Sequence, residues 1–225
     1  GKITTLVNLG INELDIKEII SNVCNLPIRL CNDAKCAGLA EKQYGSLKKY
    51  SDAVFICLGT GIGGAVFLDN KLLIPRRNPG FELGHMIIEK DGKLCNCGKK
   101  GCFETYCSMK RLKNELIDEM SLPKDIPSQQ LLQTLKKRKK EENVKQIVNT
   151  YIENLIVGLS NIIDIFEPEA ICLGGSFVYF EEVLYESLVE KYYAKRYVFN
   201  KQNLPDIKLA QLGNDAGMIG AGELI

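Results

Sequence analysis

The stretch Ala53-Val54-Phe55-Ile56-Cys57-Leu58-Gly59-Thr60-Gly61-Ile62-Gly63-Gly64-Ala65-Val66-Phe67-Leu68 decides the fold class. Its first part is an unbroken apolar run, the pattern of a strand buried on both faces. Gly59, Gly61 and Gly64 then match G-x-G-x-x-G. The dinucleotide-binding use of that fingerprint needs a strand that turns into a helix whose N-terminus faces the pyrophosphate. Here the chain becomes strand-like again: Ala65 to Leu68, an Asp69-Asn70 turn, and Lys71-Leu72-Leu73-Ile74 predict a hairpin. The glycines therefore join strand to strand. Such a turn still lets backbone N–H groups approach phosphate oxygens, and a glycine-rich hairpin without any ligand explains the run equally well.

Outward from this point the pattern alternates. Ile16, Ile19, Ile20 and Val23 recur at helical spacing after Asn12 and Asp15, and Leu26-Pro27-Ile28-Arg29-Leu30 reads as a short strand. Residues 34–44 favour a helix with Asn32 or Asp33 at its N-cap, stopped by Gly45 and Ser46. Residues 75–80 read as a loop. Three segments, about 108–120, 128–140 and 142–166, carry helical periodicity. A short strand from Glu169 to Leu173 closes on Gly174-Gly175, a helix starts near Val178, residues 207–212 read as a last strand, and residues 215–224 as a helix of small residues. Strands alternating with helices, plus the hairpin, give an α/β class with a mixed sheet.

The chain has 225 residues, 45% hydrophobic and 25% charged, the composition of a globular protein and not of a disordered, collagen-like or coiled-coil chain. Its 29 basic and 28 acidic side chains leave a net charge of +1, so no overall field draws it to nucleic acid or to an acidic membrane. Any phosphate must be gripped locally. No apolar run approaches the ~20 residues of a membrane span, and no leader pattern is visible, so a cytoplasmic protein is expected. The basic run at residues 136–140, followed by Glu141-Glu142, reads as a solvated helix face.

Nine cysteines are present, and Cys95-x-Cys97-x4-Cys102 groups three of them on a loop where Gly98 and Gly101 supply tight bends. That is zinc-ligand spacing, with His85, the only histidine, or Cys107 as the fourth ligand; spacing does not choose between them. Free thiols on a surface loop are the plainer alternative. Lys99 and Lys100 are expected to lower the thiol pKa values. Cys24, Cys31, Cys36, Cys57 and Cys172 read as small core hydrophobes. A metal here would also fix Glu82 and Glu104, which flank the cluster, as acceptors for a polyhydroxylated ligand. Asn32-Asp33 ends a predicted strand, where α/β sheets gather ligands, although a simple helix cap accounts for the pair as well.

Taken together, Asn32-Asp33-Ala34, Leu58-Gly59-Thr60-Gly61-Ile62-Gly63-Gly64, Glu82-Leu83-Gly84-His85, Cys95-x-Cys-Gly-x-x-Gly-Cys-x-Glu104, Leu173-Gly174-Gly175 and Asn214-Asp215-Ala216-Gly217 resemble the ROK family, from about Leu26 to Ile225. That family comprises sugar kinases and sugar-responsive repressors on the actin-like ATPase (ribonuclease H-like) fold. The resemblance implies two lobes: residues 1–45 as the remainder of a small N-terminal lobe, 46–210 as the large lobe with a zinc loop at 85–102, and 211–225 as a helix returning to the small lobe. It implies that Asp33 is the catalytic base and that Asn32, Asp33, Glu82, His85 and Glu104 contact a hexose. It further implies that His85, Cys95, Cys97 and Cys102 hold structural zinc, that Gly59, Thr60, Gly61 and Gly63 cradle the phosphates of ATP, and that Gly174 and Gly175 lie against its adenosine.

The activity so implied is ATP- and Mg²⁺-dependent phosphorylation of a hexose, glucose first, by a homodimer or homotetramer with no nucleic-acid or membrane partner. The alternatives are an N-acetylhexosamine kinase and a sugar-responsive repressor. The family's Asp-x-Gly-Gly-Thr loop does not occur in this sequence, which starts at Gly1, so a longer product with a complete N-terminal lobe is expected, the alternative being a truncated relative that does not hold ATP between two lobes. Lys35 stands where the family commonly has Asn.

Overall fold

The computed structural model describes residues 2–6, 11–75, 81–194 and 204–224. Strands β1 (Lys2–Leu6) and β2 (Ile11–Asp15) form an antiparallel hairpin that the sequence pattern does not announce. Helix α1 (Ile16–Ser21) begins where Asp15 accepts a hydrogen bond from Glu18 N, and it ends before Val23, which is 85% exposed. The strand expected at residues 26–30 is not formed. Leu26 and Leu30 are exposed and no described strand pairs with them; backbone N–H and C=O groups make a ladder only with a partner.

Helix α2 (Asp33–Gln43) starts as expected, with the Asn32 side chain accepting from Ala34 N and Lys35 N. Strands β3 (Ala53–Leu58), β4 (Ile62–Leu68) and β5 (Lys71–Leu72) make the anticipated hairpin. Asp69 and Asn70 both take the left-handed φ that a tight two-residue turn needs, at 49° and 64°. The glycine turn is shorter than the sequence suggests: Gly63 and Gly64 lie within β4, opposite Cys57 and Ile56. Both are packing glycines, because a Cβ would stand 2.6 Å from Ala34 Cβ at Gly63 and 2.8 Å from the Leu83 side chain at Gly64. Of the loop expected at 75–80, residues 76–80 lie outside the described residues.

Helices α3 (Phe103–Cys107), α4 (Met109–Glu119), α5 (Ser128–Arg138) and α6 (Glu142–Phe166) follow, then β6 (Ala170–Gly175), α7 (Glu181–Ala194), β7 (Asp206–Leu209) and α8 (Ala216–Gly222). The main sheet has the order β5-β4-β3-β6-β7, antiparallel through β5-β4-β3 and parallel through β3-β6-β7, a mixed sheet as expected. Successive strand residues point to opposite faces. Val54, Ile56, Leu58, Ile171 and Leu173 join the large core with Leu112, Leu116, Leu155 and Leu184 of the helices. Phe55, Phe67, Ala65 and Cys172 form a second core with Leu47 and Tyr50.

Of the scattered cysteines, Cys36 and Cys172 are buried as expected, whereas Cys24 and Cys31 are only half-buried in a segment without regular structure. The basic run ends α5 on the surface, where Lys136 pairs with Glu182 and Arg138 with Glu141. Among the described residues no helix is long and apolar enough to cross a membrane.

Helix α2 is clamped on its outer side. The Glu41 carboxylate, fully buried, accepts from Ser46 N at 2.9 Å and from Gln211 N and Leu212 N at 2.8 Å each. Helix α8 packs on α2 where Gly220 meets the backbone at Cys36 and Ala40. No side chain fits there, so Gly220→Ala is expected to cost about 1–3 kcal/mol by overpacking. Calorimetry should then read a melting temperature lower by roughly 2–12 °C, at about 2–4 °C per kcal/mol for a chain of this size. Gly217→Ala in the same helix meets open space and is expected to be neutral or stabilising.

Candidate functional site

The parallel strands β3 and β6 end together at Leu58 and Gly175, and open α/β sheets bind ligands outside such carboxyl ends. Three elements converge there on the turn at residues 59–61. The first turn of α2 arrives through Ala34, which fills the space left by Gly63. The 3-10 turn Leu83–His85 arrives through Gly84, whose missing side chain admits the Ile62 carbonyl. Helix α3 brings Glu104, whose Oε2 accepts from Ile62 N at 2.8 Å and lies where a side chain on Gly61 would stand.

The acidic groups named from sequence share this neighbourhood. Asp33 is exposed at the start of α2, with Oδ1 2.8 Å from Ala34 N. Its charge reaches the half-buried thiol of Cys57, which is held above the ordinary thiol range by burial first and by Asp33 second. Glu82 lies 3.6 Å from the nearly buried ammonium of Lys35. Asn32 is the helix cap, so its side-chain oxygen is committed to Ala34 N and Lys35 N. Gly174 abuts the Phe55 ring, and Gly175 takes a left-handed φ of 70° hard against the Leu58 carbonyl, so both have packing reasons to be glycine. Gly59 faces open space.

His85, Cys95, Cys97 and Cys102 present ligand atoms that all lie within 4.8 Å of one another. His85 Nδ1 is 3.6 Å from Cys95 Sγ, and Cys97 Sγ is 3.6 Å from Cys102 Sγ. Ligands placed tetrahedrally around a zinc ion at Zn–S distances of about 2.3 Å stand roughly 3.8 Å apart. The donor set and its spacing fit zinc, with all four positions filled by protein as in structural sites. Cys107 is excluded: its thiol is buried beside α6, pointing at the Tyr151 carbonyl.

The knuckle is built by backbone bonds from Cys95 N to Lys99 O (2.8 Å) and from Gly98 N to Cys95 O (2.9 Å). Gly98 and Gly101 have φ of 87° and 78°, and Gly101 presses on the Glu89 carbonyl, so each needs to be glycine. The Cys97 thiol is drawn down mainly by the Lys99 backbone N–H, while burial first of all pushes Cys102 up to about 12. The expected help from lysine ammonium groups is therefore minor. Lys99 instead donates to the His85 carbonyl at 2.9 Å, and Lys100 has no part in lowering either thiol.

Compared with known proteins, the chain matches the ROK family over residues 1–225. It belongs to that family. Among ROK relatives, the N-acetylmannosamine kinase of Haemophilus influenzae is 33% identical over 217 residues, a match covering 94% of this chain and 67% of the kinase. The xylose repressor of Caldicellulosiruptor bescii is 26% identical, covering 98% of this chain and 57% of the repressor. The ROK hexokinase structure from Thermus thermophilus superposes with a TM-score of 0.81 at 29% identity, over 94% of this chain and 69% of that one. The fold is thus the actin-like ATPase fold of the ROK sugar kinases, and the chain spans just over half the length of the repressor.

In this ROK chain two clefts open beside the glycine turn. One of about 250 Å³ is lined by Gly59, Thr60 and Ser176 together with Lys110, Lys113 and Lys124. Another of about 490 Å³ lies between Thr60, Gly61, Glu104 and Arg111. The contribution of α4 to both is absent from the sequence reading. A signal was present: Lys110, Lys113, Asn114 and Ile117 recur at the spacing of one helix face, flanked by the buried Leu112 and Leu116.

Proposed function

We propose that this ROK chain carries the catalytic groups of an ATP-dependent hexose kinase, with glucose as the first acceptor to test and an N-acetylhexosamine as the second. The observation that carries this reading is the exposed carboxylate of Asp33, at a strand-end site shared with Glu82 and Glu104 and stiffened by the cysteine-histidine knuckle. The kinase relatives support it.

Phosphoryl transfer asks for positioning and charge stabilisation more than for covalent chemistry. Asp33 takes the proton of a sugar hydroxyl while that oxygen forms its bond to the γ-phosphorus; the bond from that phosphorus to the bridging β–γ oxygen breaks, and ADP leaves. Asn32, Glu82, His85 and Glu104 hold the other hydroxyls. His85 turns Nδ1 toward the thiols, which leaves Nε2 for a sugar oxygen. Gly59 N–H is committed within the turn to the Gly61 carbonyl at 2.9 Å, so we assign the phosphate-facing donors to Thr60 and Gly61. Gly63 then acts by admitting α2, and Gly174 and Gly175 flank the adenosine. Mg²⁺ bound with ATP would neutralise charge on its phosphates, and zinc in the knuckle would hold the loop without touching phosphate. We place the protein in the cytoplasm, where thiols stay reduced.

The repressor relative supports a second reading, in which the same site senses a sugar without turning it over. A coupled assay of ADP release, run on the intact protein that carries this chain with glucose, N-acetylmannosamine, N-acetylglucosamine and xylose, separates the two. Hexose-dependent release is expected. Sugar binding without release from any of the four would replace the kinase by the sensor.

A further inference from the structure

The wall of the smaller cleft is cationic without a counter-charge. Lys110, Lys113 and Lys124 all line it, and no carboxylate does. Lys113 is half-buried, donates to Ser128 Oγ at 3.1 Å and lies 5.2 Å from the Phe180 ring, so it forms no ion pair among the described residues. Burial holds its ammonium below the ordinary lysine range. A partly desolvated cation without an opposite charge beside it is costly. Elsewhere on α4, Arg111 pairs with Glu115, which also meets Lys93. In a chain whose net charge is only +1, three lysines around one cleft with no ion pair among the described residues are a local concentration of positive charge.

The cleft's geometry narrows the ligand. Lys110 N donates to the Gly59 carbonyl at 3.2 Å, which ties the first turn of α4 to the glycine turn. One face of α4 then runs away from that turn through Lys110, Lys113 and Asn114 to Ile117, with Lys124 arriving from the α4–α5 connection. Positive groups spaced along a helix face suit an extended anion better than a compact one. We propose that Lys110, Lys113 and Lys124 grip a linear chain of phosphates laid along α4 from the glycine turn. A nucleoside triphosphate and inorganic polyphosphate share this chemistry. The inference deepens the proposed function, in that the phosphates held would be those of the phosphoryl donor.

Calorimetric titration of the chain with sodium tripolyphosphate, and separately with ATP, at low and at moderate salt tests it. Lys113→Met is expected to weaken tripolyphosphate binding at least ten-fold, and the Lys110→Met, Lys113→Met, Lys124→Met triple variant at least a hundred-fold, with a flatter salt dependence. Lys137→Met, on the exposed end of α5, should bind as the parent does. The triple variant should melt no lower than the parent, because like charges have been removed. ATP losing affinity in parallel identifies the nucleotide as the ligand. Tripolyphosphate held through the lysines while ATP is not bound keeps the cationic wall and overturns ATP as the donor. Absence of tripolyphosphate binding by the parent, or equal binding by parent and triple variant, overturns the inference.

Discussion

Asp33→Asn is expected to lower sugar phosphorylation by about 10²–10⁴-fold, the usual contribution of a positioned proton acceptor. The fold should tolerate the change. The cap of α2 is Asn32, whose oxygen already serves Ala34 N and Lys35 N, so the helix start does not depend on Asp33. What Asp33 adds structurally is one negative charge in the first helical turn, about 0.3–1 kcal/mol on an exposed helix. Sugar affinity should fall little, because Asn32, Glu82, His85 and Glu104 are untouched. Steady-state kinetics beside sugar titration therefore separate the roles: kcat collapses while binding persists. Turnover at the parental rate would remove Asp33 from the chemistry.

Cys102→Ser is expected to abolish binding of one zinc per chain and to lower stability by roughly 3–5 kcal/mol. Isolated zinc-finger peptides draw about 10–16 kcal/mol from their metal; a knuckle embedded in a folded domain depends on it for less. The melting temperature should fall by roughly 6–20 °C. Cys102 is the sensitive position because it both offers a ligand and stands as the N-cap of α3, two residues ahead of Glu104. Losing the metal should then raise KM for sugar by loosening His85 and Glu104 together. Cys107→Ser should keep the zinc, since that thiol points at Tyr151. Elemental analysis of parent and both variants is decisive: a parent without zinc, or a Cys107 variant that loses it, contradicts the four-ligand assignment.

What could be read from the sequence follows from how each pattern arises. The strand from Ala53 to Leu58 and helix α6 were legible because burial imposes a period on each, continuous in one and helical in the other. Helix α3 is too short for a period to show, and it carries Glu104. The stretch at residues 26–30 has strand composition but no described partner, and composition alone does not supply one. At the site, cysteine spacing suggested a metal knuckle but left His85 and Cys107 open; the family resemblance named His85, and the fold-back from Ile87 to Cys102 brings that residue, not Cys107, to the three cysteines. The lysines of α4 look in sequence like any solvated face. Only tertiary packing sets Lys110 and Lys113, with Lys124 of the following connection, around one cleft.

Glu41 gives the chain a timetable. Two of the three amides that meet this buried carboxylate belong to Gln211 and Leu212, 170 and 171 positions further along. At a ribosomal pace of about 5–20 residues per second, they emerge roughly 8–34 s after Glu41 itself. Until then the acid has a single local amide, that of Ser46, and no reason to leave water. The last turn of the helix that begins at Asp33 is therefore seated late, by a segment made long after it, and a ribosome-stalled or clipped product without residues 211–212 would hold that helix without its lock.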